Sequence, residues 1–492
     1  MLFNSYVFLL VFLPATWVTF RLVARLRWPA ATMLTLVVAS LVFYGHWNPK
    51  FILLLLGSVA FNYFWSTLLD RSHAHSKFLL TLGIGVNLAL LGYFKYTNFL
   101  LENLYRTGLL PQMKWDIILP LGISFFTFVQ IAYLVDIYTG VARRGGLLQY
   151  TTFVTFFPQL IAGPIVRYRE IVPCYAGLRL CAMSYRNVAA GLGFIALGLF
   201  KKTVLADNLS PWVDDAFGTT DKLSFIEAWG ASLAYTFQIY FDFSAYSDVA
   251  IGVARLFNID LPINFNSPYK ATSMSDFWRR WHITLSRFIR DYLYIPLGGN
   301  RKGAARQYVN LLATMLLAGL WHGAGWTFVL WGGLHGIYLA VNHMIRRISR
   351  RLAFHVPAWA GWAATFTCVN VAWVFFRAES VGRAIDILKG MAGLNGIIVK
   401  SRHLPDFLVQ ALAAIHIPVV GKPATWHYAD VNERNLLLLV IIIAFAIPNT
   451  WDWVRRSVEG RPTRQTAVFV GAVLCVSVLF LGKVNEFLYF QF

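Results

Sequence analysis

The chain has 492 residues, 58% of them apolar and 13% charged, about half the charged fraction of an ordinary soluble domain, with a mean hydropathy of +0.56. This composition excludes a water-soluble enzyme. It also removes nucleic acid as the reason for the formal net charge of +20, carried by 43 Lys and Arg against 23 Asp and Glu, because a nucleic-acid binder of that charge is hydrophilic elsewhere. What remains is an all-α polytopic membrane protein whose first partner is the lipid bilayer, with 1–492 as a single membrane-embedded domain and with 18 Trp and 40 Phe to pack in lipid and anchor at the headgroups.

In chain order, apolar windows predict spans near 5–20, 30–45, 51–69, 78–94, 117–139, 187–206, 228–256, 308–322, 326–345, 358–376, 435–448 and 466–482. Met1-Leu2-Phe3-Asn4-Ser5 carries neither a basic stretch nor a cleavage motif, so the first apolar run is expected to stay as a span. The stretch 151–166, with Phe157-Pro158 and Gly163-Pro164, reads as a broken or re-entrant segment, which survives at membrane depth only when protein surrounds it. Cys174, Cys181, Cys368 and Cys475 form no C-x-x-C pair, and neither a metal site nor a disulfide framework is expected.

Basic loops stay cytoplasmic. Arg21, Arg25 and Arg27 place the first loop inside, the nearly neutral His46 to Lys50 connection outside, and Arg71 with Lys77 inside again. Arg143-Arg144, the stretch from Arg279 to Arg306, and Arg346 to Arg351 are further inside segments, so 378–434 is expected as a periplasmic loop. Arg455 to Arg464 then send 466–482 outward, and both termini, with the aromatic motif in 485–492, are expected on the outer side of a bacterial inner membrane.

The windows 308–322 and 326–345 are joined by Gly319-Leu320-Trp321-His322-Gly323-Ala324-Gly325-Trp326, and Arg306 and Arg346 put both outer ends on the cytoplasmic side. At about 1.5 Å per residue, His322 sits about 22 Å into a core about 30 Å thick, at the apex of a hairpin. An ionisable side chain there is a candidate functional group; a histidine satisfied by a neighbouring carbonyl is the alternative. His335 reads as packing satisfied by a partner, and His343 as interfacial. Asp276-Phe277-Trp278-Arg279-Arg280-Trp281-His282 gathers tryptophans, arginines and a second histidine where a cytosolic ligand could enter. Asp242 and Asp248, inside an apolar span, read as structural carboxylates paired with nearby arginines. Two histidines near a basic entrance suit acyl transfer, since a neutral imidazole can take the proton of an attacking hydroxyl and a thioester donor needs no metal.

At these residues the sequence resembles the membrane-bound O-acyltransferases, in particular the bacterial branch that acetylates exported polysaccharides such as alginate. The resemblance is carried by Phe157 to Pro164, Phe241 to Asp248, Leu261 to Tyr269, Asp276 to Ser286, Asp291 to Gly299 and Gly319 to Gly323. It implies a ring of transmembrane helices around a thin, funnel-shaped core with re-entrant segments. It places the family histidine on His322 and the second signature position on His282; Trp278, Arg279, Arg280, Trp281, Asp276 and Trp321 are read from the residues as supporting or donor-entrance positions. It also implies acetyl-CoA as donor substrate, no permanently bound cofactor, a polysaccharide acceptor and a periplasmic acetyltransferase as partner.

The C-terminal Phe487-Leu488-Tyr489-Phe490-Gln491-Phe492 is similar to an aromatic hexapeptide of this branch, which makes Tyr489 a candidate acyl carrier. A phenol with a pKa near 10 is a better leaving group than a sugar alcohol, so thioester to phenyl ester to sugar ester runs downhill. An aromatic belt anchoring the chain end is the alternative for this motif. A transporter or flippase, or a scaffold of a secretion complex, is the competing reading of the whole chain, with the interrupted segments in its favour and no apparent inverted repeat against it.

Overall fold

The computed structural model describes residues 1–71, 76–175, 177–353, 355–400, 406–414, 419–420, 431–460, 462–482 and 486–488. The first helices are α1 (Val7–Ala24), α2 (Pro29–Gly45), α3 (Lys50–Arg71), α4 (Ser76–Arg106) and α5 (Ile123–Tyr138). Next come α6 (Leu147–Thr155), the single turn α7 (Phe157–Leu160), α8 (Tyr168–Tyr175), α9 (Tyr185–Gly218) and α10 (Phe225–Leu256). Short α11 (Met274–Arg280) and α12 (Ile283–Ile289) precede the hairpin of α13 (Gly303–His322) and α14 (Trp326–Leu352). The chain closes with α15 (Ala358–Arg377), α16 (Val381–Met391), α17 (Asp406–Ala414), α18 (Val431–Ala446), α19 (Thr450–Val454) and α20 (Arg464–Leu479). Val399–Lys400 and Val419–Val420 pair in parallel as the one small sheet among the described residues.

Among the described residues seven helices are long and apolar enough to cross a membrane, and the stretches Asn432–Ala446 and Thr450–Gly460, bent by 61°, make an eighth if they form one span. The outer helices keep their apolar residues exposed: Leu53, Val468 and Leu479 face outward, which water would penalise and hydrocarbon does not. The protein is an all-α, multi-pass membrane protein.

The helix at the centre follows different rules. Every residue of α10 from Ala234 to Ala254 is buried, and α10 falls outside the set apolar enough to span by itself. A helix walled from lipid by other helices can carry Asp242, Ser244, Ser247 and Asp248, provided each finds a partner. Its start is set by a capping box, with the Ser224 N–H and hydroxyl donating to Glu227 Oε2 at 2.8 and 2.7 Å. It lies against α9 with backbones in direct approach: a Cβ on Gly252 would fall 2.6 Å from Gly191 O, and one on Gly191 2.7 Å from Gly252 O, the small-residue contact by which membrane helices gain close packing. α10 also joins two apolar clusters. Its C-terminal half packs with α1, α2, α5 and α7, and its N-terminal half with α15, α16 and the end of α9.

Asp242 and Asp248 are indeed paired, but with lysines of α9 and not with arginines: Lys202 Nζ is 2.7 Å from Asp242 Oδ1, and Lys201 Nζ is 2.6 Å from Asp248 Oδ2. Within 378–434, α16 is a helix. Ser380 Oγ accepts its Arg383 N–H at 3.1 Å, and Ala384, Ile387, Gly390 and Met391 are buried, with α10 as its main neighbour. Arg383 ties α16 to the end of α9 by donating to the carbonyls of Ala216, Phe217 and Asp221. The interrupted segment behaves as its sequence suggests: residues 152–168 are buried throughout while the chain breaks at Phe156 between α6 and α7.

Candidate active site

The hairpin is built for close approach. A Cβ on Gly319 would lie 2.2 Å from Phe328 O, and one on Gly332 2.2 Å from Met315 O, so only glycine lets α13 and α14 pack at this distance. His322 is the last residue of α13 and is buried. Its ring meets Trp321, Trp331 and Phe376 at centroid distances of 4.9, 5.0 and 5.3 Å. Trp321 stacks on Phe128 at 5.0 Å, fixing the wall beside it.

The end of α13 leaves carbonyls without intrahelical donors, and α4 supplies them. Lys95 Nζ donates to the carbonyls of Trp321 and His322 at 2.6 and 3.0 Å, and the Tyr96 hydroxyl to that of Leu320 at 2.8 Å. A cation at a helix C-terminus is favourable electrostatically as well. A cavity of about 460 Å³ reaches His322 and is also lined by Trp321, Lys95, Met1, His46 and Glu486.

His282 lies at the junction of α11 and α12, fully buried, with its ring centroid 6.5 Å from that of His322. It holds a left-handed backbone, φ 42 and ψ 54, which costs a residue with a Cβ about 1–2 kcal/mol. Asn264 fixes it there. The Ile283 N–H donates to Asn264 O at 3.0 Å, and Asn264 Oδ1 accepts the N–H and hydroxyl of Thr284 at 3.2 and 2.9 Å. An oxygen already accepting those donors meets His282 Nδ1, at 3.1 Å, as an acceptor. Nδ1 therefore carries the proton, and the imidazole lone pair resides on Nε2.

The other sequence candidates divide. Trp278 and Trp281 are buried, Trp278 against Trp331 and His335 and Trp281 against Phe243, Phe265 and Trp373. Arg279 is exposed, while Arg280 pairs with Asp276 at 3.0 Å on the flank of α11. His335 is buried among Phe277, Trp278 and Trp331, as expected for packing. Among the described residues neither ring nitrogen has the expected hydrogen-bond partner. Tyr489 lies outside the described residues; the preceding Phe487 and Leu488 are buried in the protein. Among the described residues no cluster of three or more His, Cys, Asp or Glu could hold a metal ion.

Sequence reasoning missed Lys95, Asn264 and Lys202. Lys95 had a signal, a lysine closing the apolar stretch 78–94. Asn264 lay inside the quoted Leu261 to Tyr269 motif, without a role.

Helices suited only to lipid, closing over two buried histidines beside a cavity, define a polytopic membrane protein. The sequence model of MBOAT, the membrane-bound O-acyltransferase family, matches residues 124–381. The chain belongs to this family and is an O-acyltransferase. It is 41% identical to the peptidoglycan O-acetyltransferase of Helicobacter pylori, over 100% of this chain and 98% of that one. It is 40% identical to a Pseudomonas putida protein named probable alginate O-acetylase AlgI, over 77% of this chain and 78% of the other. A teichoic acid D-alanyltransferase of Streptococcus thermophilus is 30% identical over 45% of this chain and 56% of its own. Family membership decides between the enzyme and transporter readings in favour of the enzyme.

Proposed function

We propose that the protein O-acetylates an exported cell-envelope glycan, with peptidoglycan as acceptor. The observation that carries this is the end-to-end similarity to a peptidoglycan O-acetyltransferase, beside similarity to the alginate relatives over about three quarters of the chain. The donor is acetyl-CoA from the cytosol, and the protein works in the inner membrane with a periplasmic acetyltransferase that completes transfer to the polymer.

The chemistry follows from the histidine site. The His322 imidazole takes the proton of an acceptor hydroxyl, whose oxygen attacks the thioester carbonyl carbon. The C–S bond of the tetrahedral intermediate breaks, the ester forms, and the coenzyme A thiolate leaves with the proton returned by the imidazolium. His282, held as the Nδ1–H tautomer, offers a second basic nitrogen beside it. The acceptor hydroxyl belongs to Tyr489 or to the partner, and the ester is then passed to the glycan. The cavity at His322 supports acceptor access from outside, because Met1 and His46 line it and the charge pattern puts both on the outer face.

Mass spectrometry of muropeptides and exported polysaccharide from cells with and without this chain tests the reading. Loss of O-acetyl groups from peptidoglycan is expected, restored by the intact chain and not by His322→Ala at equal protein level. Unchanged muropeptides with deacetylated exopolysaccharide would move the acceptor to the latter.

A further inference from the structure

The Phe241 to Asp248 motif contributes neither histidine, yet Asp242 sits in the best-protected ionic cluster of the described residues. Lys202 is 1% exposed and Asp242 2%. Lys202 Nζ donates to Asp242 Oδ1 at 2.7 Å and to Asp207 Oδ1 at 2.8 Å, and its third donor goes to the main-chain carbonyl of Glu486 at 3.0 Å. Asp242 reaches the same segment with its other oxygen, Oδ2, which accepts the Leu488 N–H at 3.0 Å. Between these bonds the Phe487 ring is fully buried, edge-on to Tyr246 of the same motif at 4.9 Å and 4.6 Å from Lys202 Nζ.

A buried ion cluster is a poor source of stability, because apolar residues of similar volume serve as well or better. What this cluster does that apolar residues could not is bind both the N–H and the C=O of a distant piece of main chain. The residue just ahead of the clamped Phe487 is Glu486, which lines the cavity with His322. The clamp therefore fixes where the C-terminal segment meets the reaction site.

We propose that Lys202, Asp242 and Tyr246 form an internal binding site for the C-terminal segment 486–488, and that they are positioning residues for acyl transfer because they hold this segment as a wall of the His322 cavity. The positioning role rests on the reading of His322 as the transfer site; the docking itself does not.

The test uses the full chain in lipid nanodiscs, cysteine-free apart from Leu488→Cys, and reads the rate of maleimide labelling together with coenzyme A release from acetyl-CoA. The triple variant Lys202→Met, Asp207→Asn, Asp242→Asn removes the whole cluster and leaves no lone buried charge. Phe487→Ala loosens the segment with the cluster intact. Both are expected to label at least tenfold faster and to release coenzyme A at least tenfold more slowly, while His322→Ala labels at the parent rate. Parent-rate labelling in both docking variants, with monodisperse protein, overturns the binding site. Faster labelling with undiminished release overturns the positioning role. Undiminished release in His322→Ala would instead sink the proposed function, and the labelling rates would still decide the docking.

Discussion

Lys95 Nζ lies 3.0 Å from the carbonyl oxygen of His322, so a lysine of α4 closes the helix on which the histidine is carried. The histidine is held from its own main chain, and it lines the same cavity as Lys95.

Lys95→Met removes the donor to both the Trp321 and His322 carbonyls. Hydrogen bonds from a charged donor are worth about 1.5–3 kcal/mol, and part of that loss appears as displacement of the ring. Turnover is expected to fall about tenfold or more. Lys95→Arg, which keeps the charge and the donors, should restore part of it in the same coenzyme A release assay.

His322→Ala deletes the proposed base. General base catalysis contributes about 10² to 10⁴-fold, and a drop of that size is expected at unchanged protein level. Asn264→Leu leaves His322 in place but frees the His282 ring and its tautomer. A smaller loss, about tenfold to a hundredfold, is expected in the same assay; parent activity in Asn264→Leu would remove His282 from the mechanism.

Gly319→Ala tests the hairpin. The added Cβ would lie 2.2 Å from Phe328 O, and main chain cannot swing away as a side chain can. Overpacking of this kind costs about 1–3 kcal/mol. A lower thermal aggregation temperature in detergent is expected, with activity falling alongside it because His322 rides on the same helix.

Asp291, which follows α12, gives a pH test outside the spans. Burial pushes its carboxyl up, but hydrogen bonds from Arg290 and Arg167 outweigh this and hold it below the ordinary carboxylate value. A group with a lowered folded pKa adds stability above its unfolded pKa of about 4 and loses it as pH falls through the folded value. Asp291→Asn should therefore destabilise the protein at pH 7, with the difference from the parent shrinking as the pH is taken below about 4. A gap that stays constant with pH would mean that the ionised carboxylate is not the source.

Lipid made much of this fold legible. A span must be a long apolar helix, and the windows 326–345 and 358–376 fall on helices Trp326–Leu352 and Ala358–Arg377. That logic does not reach α16, which is short and shows only a stripe of buried residues where a window scan seeks a continuous run. At the site, His322 stood out because a histidine deep in an apolar hairpin needs a reason. Its surroundings did not: Lys95 is 227 residues away and Lys202 is 284 residues from Glu486. Such contacts are made by packing, and local periodicity carries no trace of them. The charge pattern named arginines as partners of the buried carboxylates when the neighbours on α9 were Lys201 and Lys202.

Those two lysines also constrain how the protein can be made. Alone, α9 would bring Lys201 and the Lys202–Asp207 pair into hydrocarbon, and α10 would bring two anions; joined, Lys201 pairs with Asp248 and Lys202 with Asp242. Insertion of the two helices as one unit would spare Lys201, Asp242 and Asp248 exposure to lipid without their counter-charges.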